Sequence, residues 1–160
     1  MALVKQREVG PPSGWSLMFY RAPIFLYRIG LGWLLGRRFM LLHHTGRVSG
    51  LARSTVLEVV RHDPEAKLFV VASGFGERSQ WYQNLMALPE VRLQFGGRTY
   101  DVIAARISMA KAQEEMVDYG HRNPRAAKMV AGLIGYEHEG SDEDLRSLSK
   151  IVPLVSLAAR

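Results

Sequence analysis

The chain has 160 residues, a length that fits one ordinary domain with a sizeable hydrophobic core. It contains no cysteine, which excludes disulfides, thiolate metal sites and cysteine nucleophiles. The net charge of +6 suits an anionic membrane surface, an anionic small molecule or no charged partner at all, but the basic residues form no block typical of nucleic-acid binding, so we expect no nucleic-acid partner.

The N-terminal part of the chain divides into a polar stretch and an aromatic one. Residues 1–14 place charges ahead of any apolar run, which argues against a secretory signal, and we expect them to be flexible. Residues 15–38 predict an amphipathic helix whose longest charge-free run, 29–36, is too short to cross a bilayer. This helix would lie on anionic lipid at the inner face of the cell membrane, or cover one end of the core of a cytoplasmic protein.

Three strands and a short helix are predicted next. Runs of β-branched and apolar residues indicate strands over Phe39–His44, Ser54–Arg61 and Leu68–Ala72, the last of which we expect to be buried on both faces. A short helix follows over Trp81–Ala87.

A hairpin and a capped helix come after the short helix. Two alternating runs between Val91 and Ile107 flank Gly96-Gly97, which is a strong signal for a tight turn. Ser108 is predicted to cap the helix that follows.

The C-terminal part predicts two more helices and a strand. A helix over residues 122–135 would have Pro124 in its first turn, and Ser141 would cap another helix whose first turn is acidic. A last strand spans residues 151–158, and Pro153 predicts that it lies at a sheet edge. The strands outnumber the helices and alternating βαβ units are absent, so we predict a small, mostly antiparallel barrel with helices packed around it.

The segment TGRVSGLARST, Thr45–Thr55, has features of an anion-binding loop. Gly46 and Gly50 would let backbone N–H groups converge on an anion, and Arg47 and Arg53 would bind phosphate or carboxylate in a fork. The segment lacks the Gly-Lys-Ser/Thr ending and the following helix of a P-loop, so a basic connection between two strands stays open as an interpretation.

The segment SGFGERSQWYQNL, Ser73–Leu85, follows a predicted buried strand. Its glycines either lie close to a ligand or only satisfy positive φ in a strand-to-helix turn, in which case Trp81 and Tyr82 are core aromatics. Metal and hydrolytic chemistry have little support, because the five histidines show no ligand spacing and no Gly-x-Ser-x-Gly elbow occurs. We expect the histidines to pack or to face solvent, and no metal.

Taken together, the two loops resemble the deazaflavin (F420)-dependent nitroreductase family. That family has, in order, T-G-R-x-S-G, A-S-x-x-G, W-Y-x-N-L and G-G-R. The matching segments here are Thr45–Gly50, Ala72–Gly76, Trp81–Leu85 and Gly96–Arg98. The resemblance covers about Phe39 to Leu157 and is specific, since several motifs fall in the right order and spacing.

The resemblance implies a split β-barrel like that of flavin-binding reductases. About six mostly antiparallel strands would form one domain with helices packed around it over residues 15–160. It also implies that reduced deazaflavin, coenzyme F420, donates a hydride to an electron-poor acceptor such as a quinone, a nitro compound or a conjugated enone. Some members sit at the membrane through the N-terminal helix, and split barrels often form homodimers.

The resemblance implies the cofactor contacts as well. The anionic phosphodiester and polyglutamate tail would meet the first loop, and the ring would meet the second, while Asn84 would hold a loop from behind. The predicted cofactor-binding residues are Arg47, Ser49, Gly50, Arg53, Thr55, Ala72, Ser73, Gly74, Phe75, Gly76, Trp81 and Tyr82.

Two positions depart from the family pattern. Val48 stands where some members carry a lysine, and Glu58 stands where some carry a tyrosine beside the ring. No acid–base pair is required, because hydride chemistry belongs to the cofactor. Tyr136, or else Tyr119, would orient the acceptor carbonyl, with an ordinary packing role as the alternative for each.

Two other functions stay open. An FMN-dependent reductase of the same fold would need only one phosphate site. A non-catalytic, membrane-associated module would carry the cofactor or a lipid, and would bind deazaflavin without transferring a hydride.

Overall fold

A computed structural model describes residues 37–125, 127–128 and 140–160. The strands of this part of the chain are β1 (Phe39–Thr45), β2 (Ala52–Asp63), β3 (Leu68–Ala72), β4 (Glu90–Phe95), β5 (Arg98–Arg106) and β6 (Leu154–Ala159). The helices are α1 (Gln80–Ala87), α2 (Met109–Arg122) and α3 (Asp142–Leu148), with a short 3-10 helix over Gly76–Arg78.

The strands close into an antiparallel barrel in the order β1-β2-β3-β6-β5-β4, which confirms the predicted barrel. Alternate residues of each strand point inward because side chains in a strand alternate between its two faces. The inward residues form the main core together with α1. The fully buried members of this main core include Met40, Leu42, Phe69, Leu85, Leu93, Val102 and Leu157.

The prediction that Pro153 places the last strand at a sheet edge is wrong. Strand β6 lies between β3 and β5 and pairs with both. Pro153 precedes the strand, so its missing N–H removes no ladder hydrogen bond, while its carbonyl accepts one from the Ser73 N–H at 3.0 Å.

The tight turn of the β4–β5 hairpin is confirmed. Gly96 and Gly97 have φ values of 55° and 76°, and the strands pair up to Phe95 and Arg98 on either side. Positive φ at both central residues defines the two-residue turn that matches the twist of antiparallel strands, which is why two glycines occur here.

Both predicted helix caps are confirmed. The Ser108 side chain accepts a hydrogen bond from the Lys111 N–H, and the Ser141 side chain accepts one from the Asp144 N–H. Each cap satisfies an N–H that has no partner within the helix. Helices α2 and α3 pack against the outside of β2 and β3 through a second core, which includes Val60, Val70, Met116, Leu145 and Leu148.

Several predictions fall outside the described residues. These are the flexible stretch 1–14, the helix over 15–38 apart from its last two residues, and most of the helix over 122–135. Residues 37–38 form a turn that leads into β1. Among the helices that the structure describes, none combines the length and the apolar content needed to span a bilayer.

Candidate functional site at one end of the barrel

Both motif loops lie at the same end of the barrel. Because neighbouring strands are antiparallel, the C-terminal ends of β1, β3 and β5 share this end with the N-terminal ends of β2, β4 and β6. The first loop, residues 46–51, joins β1 to β2, and the second loop, residues 73–79, joins β3 to α1.

The first loop is a closed turn that depends on its two glycines. The Gly46 N–H donates to the Leu51 carbonyl at 2.9 Å, and the Gly50 N–H donates to the Gly46 carbonyl at 2.8 Å. A Cβ on Gly46 would collide with Ser49 Oγ, and Gly50 has a φ of 70°, which residues with side chains rarely adopt. The glycine spacing of the motif is therefore set by the turn itself.

Arg47 holds the first loop on α1. Its backbone N–H and its Nη1 both donate to Asn84 Oδ1 at 3.0 Å. Nη1 also donates to Gln80 Oε1 at 3.0 Å, and Nη2 donates to Gln83 Oε1. The expectation that Asn84 holds a loop from behind is confirmed. The Arg47 guanidinium, by contrast, is already engaged within the protein.

Arg53 has different surroundings. It is exposed, and it lies opposite His44 in the β1–β2 pairing, so the two side chains share one face. Its Nε lies 3.5 Å from the point where a Cβ on Gly46 would be. No carboxylate within the described ranges pairs with the Arg53 guanidinium. Thr55 follows on the same face of β2 and is half-buried.

Two amides of the first loop are free for a ligand. The N–H groups of Arg47, Gly50 and Leu51 donate within the protein, the last of them to Ser49 Oγ at 3.2 Å. The N–H groups of Val48 and Ser49 find no acceptor among the residues that the structure describes. Within the described part of the chain, the first loop and the start of β2 thus offer one unpaired cation and two free amides, which is a donor set for an anion.

Ser73 and Gly76 give the second loop its shape. Ser73 is fully buried, and its Oγ donates to the Gly76 carbonyl at 2.6 Å. Gly76 has a φ of 75°, and a Cβ there would lie 3.2 Å from the Ile151 carbonyl oxygen. Ala72 at the end of β3 and Gly74, Phe75 and Gly76 of this loop are partly exposed, and Glu77 and Arg78 are exposed.

One side chain of α1 links the two loops. Gln83 Oε1 accepts from Arg47 of the first loop, and its Nε2 donates to the Glu77 carbonyl of the second loop at 3.0 Å. The structure therefore brings together the two motifs that the sequence separates.

The two adjacent aromatic residues of α1 differ in burial. Tyr82 is only 5% exposed and belongs to the main core, with Arg106 near its hydroxyl. Trp81 is half-buried and packs edge-on against Tyr82, with 6.2 Å between the ring centroids. The expectation that both rings flank a cofactor is corrected for Tyr82, because a ring enclosed in the core has no face to offer a ligand.

Tyr119 lies away from this end of the barrel. It is 4% exposed and lies near Glu58, which pairs with Arg38 at 3.1 Å. Glu58 lies opposite Phe39, at the end of β1 far from the first loop. Burial, with Glu58 as a second cause, raises the pKa of the Tyr119 hydroxyl. Tyr119 is thus a packing residue, and Tyr136 falls outside the described residues.

A cavity of about 340 Å³ adjoins the second loop. It lies between the end of β5, the start of α2 and the residues before β6, and its apolar lining includes Ile107, Met109 and Leu154. Arg106 lines the cavity and donates to Glu77 Oε1 of the second loop at 2.5 Å. The cavity offers a half-open, largely apolar surface next to the loop. Among the residues that the structure describes, no group of three or more His, Asp or Glu side chains could hold a metal ion.

Sequence reasoning missed the residues that hold the loops in place. The polar face of α1 carries no motif for Gln80 and Gln83, and their partner lies in a distant loop. His44 had a usable signal, because alternation from Met40 and Leu42 predicts that it points into the barrel.

The closed antiparallel barrel, with two motif loops held on one helix at its end, is a split β-barrel. A solved F420H2-dependent reductase structure has the same fold, with a TM-score of 0.53, 19% identity, and coverage of 76% of this chain and 94% of that one. The chain belongs to the F420H(2)-dependent quinone reductase family, whose model matches residues 27–129.

Known proteins similar to this chain differ in how much they share with it. An F420H(2)-dependent quinone reductase of Mycobacterium tuberculosis is 39% identical over 66 residues, and the match spans 41% of this chain and 44% of that protein. A heme storage protein of Vibrio cholerae has a TM-score of 0.52 at 14% identity, with coverage of 84% and 90% of the two chains. At such identity the likeness shows the fold alone.

Proposed function

We propose that the protein is an F420H2-dependent oxidoreductase that passes a hydride from reduced deazaflavin to a quinone-type acceptor. Family membership supports this proposal. The observation that carries it is a donor set at the first loop and the start of β2: within the described residues, the Arg53 guanidinium pairs with no carboxylate and the N–H groups of Val48 and Ser49 have no acceptor. Coenzyme F420 carries a phosphodiester and a polyglutamate tail, and such anions bind strongly to guanidinium and backbone N–H groups.

The predicted cofactor residues divide into two groups under this proposal. Arg53 and the backbone N–H groups of Val48 and Ser49, in the turn that Gly50 allows, would hold the anionic part, with Thr55 on the same inner face of β2 as Arg53. The ring would lie along the second loop, at Ala72, Gly74, Phe75 and Trp81. Four residues would act by shaping these contacts, and these are Arg47, Ser73, Gly76 and Tyr82.

Reduced deazaflavin supplies the hydride when it is bound, so the protein needs no acid–base pair of its own. The chain contributes binding, orientation and exclusion of water. An apolar cavity next to the second loop suits the flat ring of a quinone, and nitro compounds and conjugated enones share that shape.

Anaerobic fluorescence titration with F420 tests the proposal. We expect micromolar binding by the wild type and at least tenfold weaker binding by Arg53→Gln, because a charged hydrogen bond contributes about 1.5–3 kcal/mol. Arg98→Gln is the matched control, since Arg98 is an exposed arginine beside the hairpin turn at the opposite end of the barrel. Wild-type protein that does not bind F420, or that binds FMN in its place, refutes the proposal.

Three finer points are proposals as well. The protein would be cytoplasmic, would contact anionic membrane through residues 15–38, and would form a homodimer. A protein of the same fold is described as a domain-swapped dimer, with a TM-score of 0.52 at 18% identity and coverage of 85% and 99% of the two chains.

Flotation with phosphatidylglycerol vesicles, comparing the full chain with a variant that lacks residues 1–36, tests the membrane contact. Light scattering tests the dimer.

A further inference from the structure

His44 occupies a buried position directly behind the first loop. It is 7% exposed, lies one residue before the Thr-Gly-Arg motif, and shares the inner face of the β1–β2 pair with Arg53. Its Nδ1 lies 3.1 Å from Asn84 Nδ2, and Asn84 is itself 3% exposed. A buried polar contact of this kind requires a donor on one side and an acceptor on the other.

The hydrogen bonds of Arg47 determine which side donates. The Arg47 backbone N–H and Nη1 are both donors, and both lie 3.0 Å from the same atom of Asn84. That atom must be the carbonyl oxygen Oδ1, so the amide nitrogen Nδ2 faces His44. An amide nitrogen only donates, which makes His44 Nδ1 an unprotonated acceptor and places the ring proton on Nε2.

The surroundings of His44 favour this neutral form. Arg53 on β2 shares a face with the ring, His43 is its neighbour along β1, and Arg47 approaches Asn84 from the loop. Burial, followed by Arg53 and His43, lowers the pKa of His44 to about 4. Among the residues that the structure describes, no carboxylate contributes to the pKa of His44.

We propose that His44 is a positioning residue for the anion site. As a hydrogen-bond acceptor it fixes the Asn84 amide, and Asn84 fixes Arg47. Arg47 in turn holds the loop in the shape that leaves the Val48 and Ser49 amides free, next to the strand that carries Arg53. The identity of the anion as F420 rests on the proposed function above. The hydrogen-bond chain is a property of the protein without ligand.

The test variants at His44 differ in whether they keep a hydrogen-bond acceptor for Asn84. Asparagine offers its Oδ1 near the position of the histidine Nδ1, so His44→Asn keeps an acceptor for Asn84. His44→Leu has a similar bulk and no acceptor. His43→Leu is the control on the neighbouring residue, because His43 points to the outer face and bonds to Ser54 and Gln94.

Two measurements on the full chain test whether His44 positions the anion site. NMR of protein labelled with ¹⁵N-histidine reports the His44 tautomer at pH 7, which we expect to be neutral with the proton on Nε2. F420 titration should show binding within about threefold of wild type for His44→Asn and His43→Leu, and at least tenfold weaker binding for His44→Leu. A proton on Nδ1, or a folded His44→Leu protein that binds like wild type, would overturn the proposal.

The outcomes separate this inference from the proposed function. If the wild type fails to bind F420, the proposed function fails. Two measurements without F420 then still test the positioning role. One is the His44 tautomer, and the other is the NMR signal of the Arg47 amide, which we expect to shift in His44→Leu but not in His44→Asn. If His44→Leu does not fold, the His44 tautomer and the F420 affinity of His44→Asn test the inference, and we expect His44→Asn to bind like wild type. Weak binding by a folded His44→Asn protein overturns the inference.

Discussion

At the residue scale, the two arginines of the first loop differ because their backbone positions differ. Arg47 lies in the turn, where its side chain reaches three residues on one face of α1. Arg53 lies in β2, where the strand holds it beside Gly46, and it forms no ion pair with any acid that the structure describes. Guanidinium groups have five donors in a rigid fork, so the same residue type serves both as an internal tie and as an anion ligand.

The lowered pKa of His44 predicts how stability depends on pH. In the unfolded chain His44 has a pKa of 6.5, and in the folded protein about 4. Between these values the unfolded chain binds a proton that the folded protein does not, so the free energy of unfolding falls as the pH falls. At about 1.4 kcal/mol per tenfold change in proton affinity, the loss is on the order of 3 kcal/mol.

Urea unfolding at a series of pH values measures this dependence. We expect His44→Asn to lose less stability than wild type between pH 6.5 and 4, because it has no group to protonate there. Burial also lowers the pKa of His43 and of His62, but both are present in the two proteins, so the difference isolates His44. Parallel curves for the two proteins would contradict the prediction.

At the element scale, α2 is attached to the barrel by an ionic contact with one buried member. Arg61 of β2 donates to Glu115 Oε2 at 2.6 Å and to Asp118 Oδ2 at 2.8 Å. The side chain of Glu115 is only 5% exposed, whereas that of Arg61 is 39% exposed. Burying a carboxylate is tolerable only while it is well paired, and the other cation at Glu115, the exposed Lys111 Nζ, is more distant at 3.7 Å.

Removing the partner alone should therefore be worse than removing both. We expect Arg61→Met to lower the free energy of unfolding by about 3 kcal/mol, and Arg61→Met with Glu115→Met to recover much of that loss. Urea unfolding of the two variants and of Glu115→Met completes the cycle. Additive effects would show that the carboxylate of Glu115 is solvated after all.

At the scale of the whole molecule, local signals and long-range contacts differ in what the sequence reveals. Gly96-Gly97 and the caps Ser108 and Ser141 act over a few residues, and all were predictable. The position of β6 depends on closure of the barrel, which no local rule for Pro153 can anticipate. The bonds from Arg47 to α1 join residues 33 to 37 positions apart, so the motif identified the loop but not the atoms that hold it.

The placement of the cavity beside the second loop predicts that acceptor and cofactor use separable surfaces. Met109 lines the cavity and is 43% exposed, so a larger side chain there can fill the space with little strain on the core. We expect Met109→Trp to raise the KM for a soluble quinone at least fivefold and to leave F420 affinity unchanged. Met86→Trp is the control, since Met86 is a methionine of similar exposure, 39%, on α1 outside the cavity. Steady-state kinetics at saturating F420H2 measure the effect. An unchanged KM in Met109→Trp would show that the acceptor binds elsewhere, because the introduced ring occupies the cavity that the quinone would need.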